Sequence, residues 1–145
     1  MSEITVRIIG LGEAEKRTAD FPLVLSRTLE SPQVLREIGT VLVASGEKTI
    51  TERGRPVRYK PLAESTIARK GSSKPLIDKG TLQNSLDYEQ QGSDLYLTSV
   101  EYLKYHQFQA GRTKAKFPAR PVWGVQDDDN EEITDIILDK LTETL

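Results

Sequence analysis

Three groups of residues in this chain have types and spacings that could do chemistry: Gly10-Leu11-Gly12 after the apolar pair Ile8-Ile9, the sole histidine His106, and the run Asp127-Asp128-Asp129-Asn130-Glu131-Glu132. The first suggests a strand that delivers a phosphate to a helix N-terminus. A dinucleotide site of that kind needs a third small residue so that helix and strand can pack, and Glu15 stands in its place. No second strand ends in an acid at the required distance, and the chain is short for a doubly wound sheet. His106 has no second histidine or cysteine to share a zinc ion with, and no candidate nucleophile beside it to activate. Tyr102, Tyr105 and Phe108 surround it at helical spacing, so it reads as a partly buried aromatic-cluster residue that hydrogen-bonds the backbone. The acidic run misses the spacing and the glycine of a calcium loop, and suits the capping of a helix. No catalytic residue, metal or cofactor is expected.

What remains is charge. From Arg53 to Lys79 there are eight Lys/Arg against Glu64 and Asp78, and from Lys104 to Arg120 five against none. From Gln126 to Leu145 there are eight acids against Lys140. Such a layout orients one subunit against another through complementary patches, while its bland reading is a set of solvated faces. The candidate interaction residues are Arg53, Arg55, Arg58 and Lys60 in the first basic segment and Arg112, Lys114, Lys116 and Arg120 in the second, with Arg120 open between an internal pair and an intersubunit contact. The net charge of −2 gives no global attraction to nucleic acid, and only Tyr59 and Phe117 accompany the basic loops. Sequence-specific nucleic-acid readout is therefore disfavoured, although weak electrostatic contact with passing DNA remains compatible.

The elements that must carry these residues follow from periodicity. Glu3 to Ile9 alternates as a half-buried strand. Glu13 to Leu29 reads as helix, with Pro22 starting or kinking it. Ser31-Pro32 is a helix start, hydroxyl N-cap then proline, and Val34, Leu35, Ile38, Val41, Leu42 and Ser45 form one stripe behind it, with fraying expected from Thr49 to Glu52. A basic connector from Arg53 to Lys60 leads to a short helix at Leu62 to Lys70. The turn Gly71 to Pro75 is expected to be mobile. Thr81 to Leu86 suits a helical turn. Leu86 to Gln90 and Asp94 to Val100 alternate around Gln91-Gly92-Ser93, as an antiparallel hairpin does. The connector and Gln109 to Lys116 are expected to be flexible basic loops. Phe117 to Trp123 re-enters in extended form, and the acids from Asp127 precede a terminal amphipathic helix bearing Ile133, Ile136, Ile137 and Leu141.

The expected fold class is therefore α+β, a small antiparallel sheet of three or four strands packed against helices on one face, in a single domain over residues 1–145. At 145 residues, 37% hydrophobic and 29% charged, the chain can bury about 70% of its unfolded surface around one core. No apolar run nears the ~20 residues that span a bilayer, and the N-terminus lacks the pattern of a secretory leader.

The ordered phrases Leu35-Arg36-Glu37-Ile38-Gly39, Pro61-Leu62, Thr66-Ile67-Ala68-Arg69-Lys70, Pro75-Leu76-Ile77-Asp78 with Gly80 and Leu82, His106-Gln107-Phe108, and Pro118-Ala119-Arg120-Pro121 with Gly124 resemble the phage virion morphogenesis family, the tail-completion proteins of contractile-tailed phages and prophages. The chain departs from the family pattern at Tyr59-Lys60, where a tryptophan is usual, and at Gln109, where a glycine is. The resemblance implies a non-enzymatic protein of the virion neck, present in the host cytoplasm during assembly. It would complete the tail or join it to the head as a homo-oligomeric ring, sixfold to match a tail. Its partners would be itself and neighbouring head-connector and tail proteins, with no specific nucleic acid and no membrane. The opposed reading is a DNA-binding accessory protein of a phage or mobile element.

Overall fold

The computed structural model describes residues 2–6, 21–77, 79–108 and 119–144. Along the chain run β1 (Ser2–Val6), α1 (Phe21–Leu29), α2 (Pro32–Thr51), α3 (Glu64–Lys70), α4 (Thr81–Ser85), β2 (Asp87–Gln91), β3 (Asp94–Ser99), α5 (Leu103–Phe108) and α6 (Asp127–Thr144). The fold is α+β. Of the expected elements, the remainder of the first strand, the Gly10-Leu11-Gly12 phrase, the first part of the Glu13 to Leu29 helix and the Gln109 to Lys116 loop lie outside the described residues.

Helix α2 is the organising element. Pro32 occupies its first turn, where a missing N–H costs nothing, and Leu35 N–H bonds the Ser31 carbonyl at 3.0 Å. The Ser31 hydroxyl makes no capping hydrogen bond, so proline geometry rather than a side-chain cap starts the helix. The stripe from Val34 to Ser45 is buried as its spacing requires. The expected fraying at Thr49 to Glu52 is overturned. Thr49 and Ile50 are 1% and 0% exposed, and Glu52 N–H still bonds Lys48 O at 2.8 Å. Burying Ile50 fully contributes about 1.5–3 kcal/mol, which outweighs the end effects that loosen a helix terminus.

The hairpin forms around Gly92-Ser93, with Gln91 opposite Asp94 and Tyr88 opposite Leu97. Strand β3 lies between β1 and β2, antiparallel to both. Leu95 and Leu97 are buried on the face that carries Tyr88 and Gln90, and α2 packs against β2 and β3. Two glycines decide how closely. A Cβ on Gly39 would stand 2.6 Å from the Tyr88 ring, and one on Gly46 2.9 Å from Trp123. The missing side chains are seats for two aromatic rings. Helix α6 lies across α2 and α1, where Leu141 joins Leu25 and Leu29 in a small second cluster.

Candidate functional site

The turn after α2 aims Arg55. Gly54 takes φ +111°, a conformation that L side chains rarely adopt, and a Cβ there would lie 2.6 Å from Tyr59 N and Val57 O. Reversing the chain so tightly points Arg55 back over α2. Its Nη2 donates to Ser45 O at 3.0 Å and Ser45 Oγ at 2.7 Å, its Nε to Thr49 Oγ1 at 3.2 Å, and its Nη1 reaches Asp128 Oδ2 at 3.3 Å. Ser45 Oγ in turn donates to Asp129 Oδ2 at 2.5 Å, and that same carboxylate accepts Gln126 N–H at 2.8 Å. An acid at the third position of a helix that takes the N-cap N–H is one half of a capping box. Asp129 does cap α6, as the position of the acids at its start predicts, and Asp128 and Asp129 also bind it to α2 and the turn after it. Desolvation pushes the Asp128 carboxyl up, but the hydrogen bond from Lys48 and the charges of Arg55 and Lys48 outweigh it and hold it below the usual carboxylate range.

Arg120 is treated differently. It is 7% exposed, and its guanidinium donates to Lys60 O from Nε and Nη2 at 3.3 and 3.1 Å and to Pro61 O at 3.4 Å. Burial holds its pKa down, while the neighbouring Tyr59 works the other way. Burial likewise pushes the Tyr59 phenol up, against Arg120, and its hydroxyl donates to Pro121 O at 2.5 Å. The segment of residues 119–126 has no regular structure, yet Gln107 fixes it as a neighbouring strand would. The Gln107 Oε1 accepts both Val122 N–H at 2.8 Å and Trp123 N–H at 2.9 Å, while its Nε2 donates to Trp123 O at 2.7 Å. That pairing gives a physical role to the middle residue of the His106-Gln107-Phe108 phrase. His106 is half-buried, edge-on to Tyr102 with ring centroids 6.4 Å apart, and burial followed by the Arg120 charge holds its pKa down.

Beside Arg120 opens a groove of about 770 Å³. Leu62, Leu76 and Leu82 supply apolar surface to it, and Arg69, Lys70 and Lys79 join Arg120 in supplying charge. No acid lines it among the described residues. Tyr102 and His106 complete its aromatic wall.

The interaction residues read from sequence are thus divided. Arg55 turns inward and serves the fold, while Arg120, which the sequence leaves open between an internal pair and an intersubunit contact, bonds the Lys60 and Pro61 carbonyls at the wall of the groove. Arg53 is half-buried in the turn, where its carbonyl accepts Tyr59 N–H at 2.7 Å, while Arg58 and Lys60 are exposed. The connector is anchored by Arg55 and Tyr59 more firmly than its composition implies. Arg112, Lys114 and Lys116 lie outside the described residues. Arg69, Lys70 and Lys79 were visible only as part of a basic stretch; nothing in their spacing showed that α3 and the approach to α4 converge on Arg120. Among the described residues no group of His, Asp and Glu is arranged to hold a metal, and no helix is long and apolar enough to cross a membrane.

The sequence model of the phage virion morphogenesis family matches residues 16–142, which takes in both the Arg55 clamp and the basic groove. The chain belongs to that family. No curated protein and no solved structure matches it. Membership in the phage virion morphogenesis family gives the chain a structural, assembly role in a phage. The site is accordingly judged by the surfaces it offers to other proteins.

Proposed function

We propose that this protein acts at the head–tail junction, completing the tail or joining it to the head as one subunit of a homo-oligomeric ring among connector and tail proteins. The observation that supports this reading is the separation of opposite charges on a member of a virion morphogenesis family: a cationic groove at α3, α4 and Arg120, and an acidic outer surface on α6. Two different, complementary surfaces on one subunit favour head-to-tail contacts, which close into a ring when the rotation permits. A sixfold ring would match tail symmetry. The role is structural, with no chemical step.

Electron microscopy of a lysate lacking the protein tests the reading. The expected picture is full or leaking heads beside free tails, some of abnormal length, with few joined particles. Normal numbers of joined, infectious particles would remove this function. Loss of packaged DNA without loss of joining would instead favour the DNA-handling alternative. Neutralising Arg112, Lys114 and Lys116 together should give a milder joining defect that worsens with salt, because exposed charges are screened beyond about 8–10 Å at physiological ionic strength.

A further inference from the structure

Helix α6 packs on α1 and α2 through Ile133, Ile136, Ile137 and Leu141, which leaves the opposite face outward. On that face Glu131, Asp135, Leu138 and Thr142 follow one another at steps of four, three and four residues, so they form a single stripe. All are exposed, and Leu138 is a large apolar side chain at 52% exposure between acids. Asp139 lies exposed beside the stripe. An apolar knob framed by carboxylates is the complement of the groove beside Arg120, which sets Leu62, Leu76 and Leu82 among Arg69, Lys70, Lys79 and Arg120.

We propose that the groove of one copy receives the outward stripe of α6 from a second copy. This rests on the ring reading above and names its contact. Leu138 would meet the apolar floor, and Glu131, Asp135 and Asp139 would face the groove cations. From Glu131 to Leu138 the helix rises about 10 Å, so the stripe presents about two helical turns to whatever it meets. Because the two surfaces lie on different parts of the subunit, each copy can give its helix to one neighbour and its groove to the other, which is the heterologous contact that a ring requires. Among the described residues Arg120 has backbone carbonyls and no carboxylate as hydrogen-bond acceptors, so an arriving acid would supply it with a counter-charge. Charge complementarity would also set which face arrives and in what register.

The test uses particles assembled from equal parts of light and heavy isotope-labelled protein, purified and treated with a zero-length carbodiimide cross-linker. Mixed-isotope cross-links joining Lys79 to Asp135 or its neighbours on the stripe are expected. They should disappear in the groove variant Arg69→Glu/Lys70→Glu and in the helix variant Glu131→Lys/Asp139→Lys, and return when both pairs of changes are placed in one chain. Leu138→Ser alters no charge and should weaken the same cross-links, and an unchanged thermal midpoint of the soluble variants excludes misfolding. Mixed-isotope cross-links through other surfaces alone would overturn this contact and leave the ring reading standing. Absence of any inter-copy cross-link would overturn both. If the groove variant keeps its cross-links but loses retention on double-stranded DNA, the groove is a nucleic-acid surface and the proposal fails.

Discussion

Arg55 and Arg120 are both withdrawn from solvent, yet the protein neutralises them by different means. Arg55 meets two hydroxyls, a carbonyl and the Asp128 carboxylate, and through Ser45 it is coupled to the buried Asp129. Arg120 meets the carbonyls of Lys60 and Pro61. The first arrangement is closed: donors and acceptors are matched inside one subunit, and the result is a clamp between α2 and α6. In the second, no carboxylate among the described residues bonds the guanidinium, which stands at the wall of an open groove. A fully compensated arginine holds a fold together, whereas one held by dipoles alone keeps a field that another molecule can use.

The comparison breaks most severely at the turn that aims Arg55. Gly54→Ala forces a side chain into a left-handed conformation and against two backbone atoms, and should cost about 3–5 kcal/mol by the combined scale of backbone strain and overpacking. Urea denaturation measures it; a loss below about 1 kcal/mol would mean that the turn does not hold the clamp. On the groove side the matching change is Gln107→Leu, which strands Val122 and Trp123 N–H. A loss of about 2–4 kcal/mol is expected, with weakened protection of those two amides in hydrogen exchange.

Replacing the arginines themselves sharpens the contrast. Arg55→Met removes the donors to the Ser45 and Thr49 hydroxyls and the cation opposite the α6 acids, for a loss of about 2–3 kcal/mol. Arg120→Met strands two carbonyls but also relieves an uncompensated buried charge, so its net effect should lie within about 1 kcal/mol. Equal losses in the two variants would erase the distinction between clamp and groove.

The smallest effect is in pH. His106, on the groove side, has its folded pKa depressed below 6.5, so the unfolded chain takes up a proton first. Its contribution is present above about pH 6.5 and is lost as pH falls through the folded value. Asp128, on the clamp side, is depressed below 3.8; its contribution is present above that value and is lost only as pH falls further. The groove side should therefore weaken in mild acid while the clamp still holds. His106→Gln should flatten the dependence of the denaturation midpoint as pH falls below about 6.5. An unaltered slope would show that His106 does not set it.

Much of the architecture is readable from local pattern. The buried stripe of α2, the hairpin around Gly92-Ser93 and the acids ahead of α6 are all written within one element and its flanks, where periods of two and 3.6 and turn residues operate. The site was legible only as charge. Sequence placed basic residues in the segments that bear the groove, but it did not separate Arg55 from Arg58 and left Arg120 open, because nothing in the identity of an arginine says whether it points at water or at a carbonyl.

By itself, then, the sequence determined most of the described elements, the amphipathic face of α6, the charge asymmetry and, through its ordered phrases, the family. Tertiary structure alone decided that Gly39 and Gly46 are seats for Tyr88 and Trp123, that Gln107 pairs with the backbone of Val122 and Trp123, and that Arg120 closes on a carbonyl 60 residues away. Those outcomes rest on contacts between segments remote in sequence. Periodicity is set by the backbone geometry of one segment; burial and partner choice are set by what the rest of the chain brings alongside it.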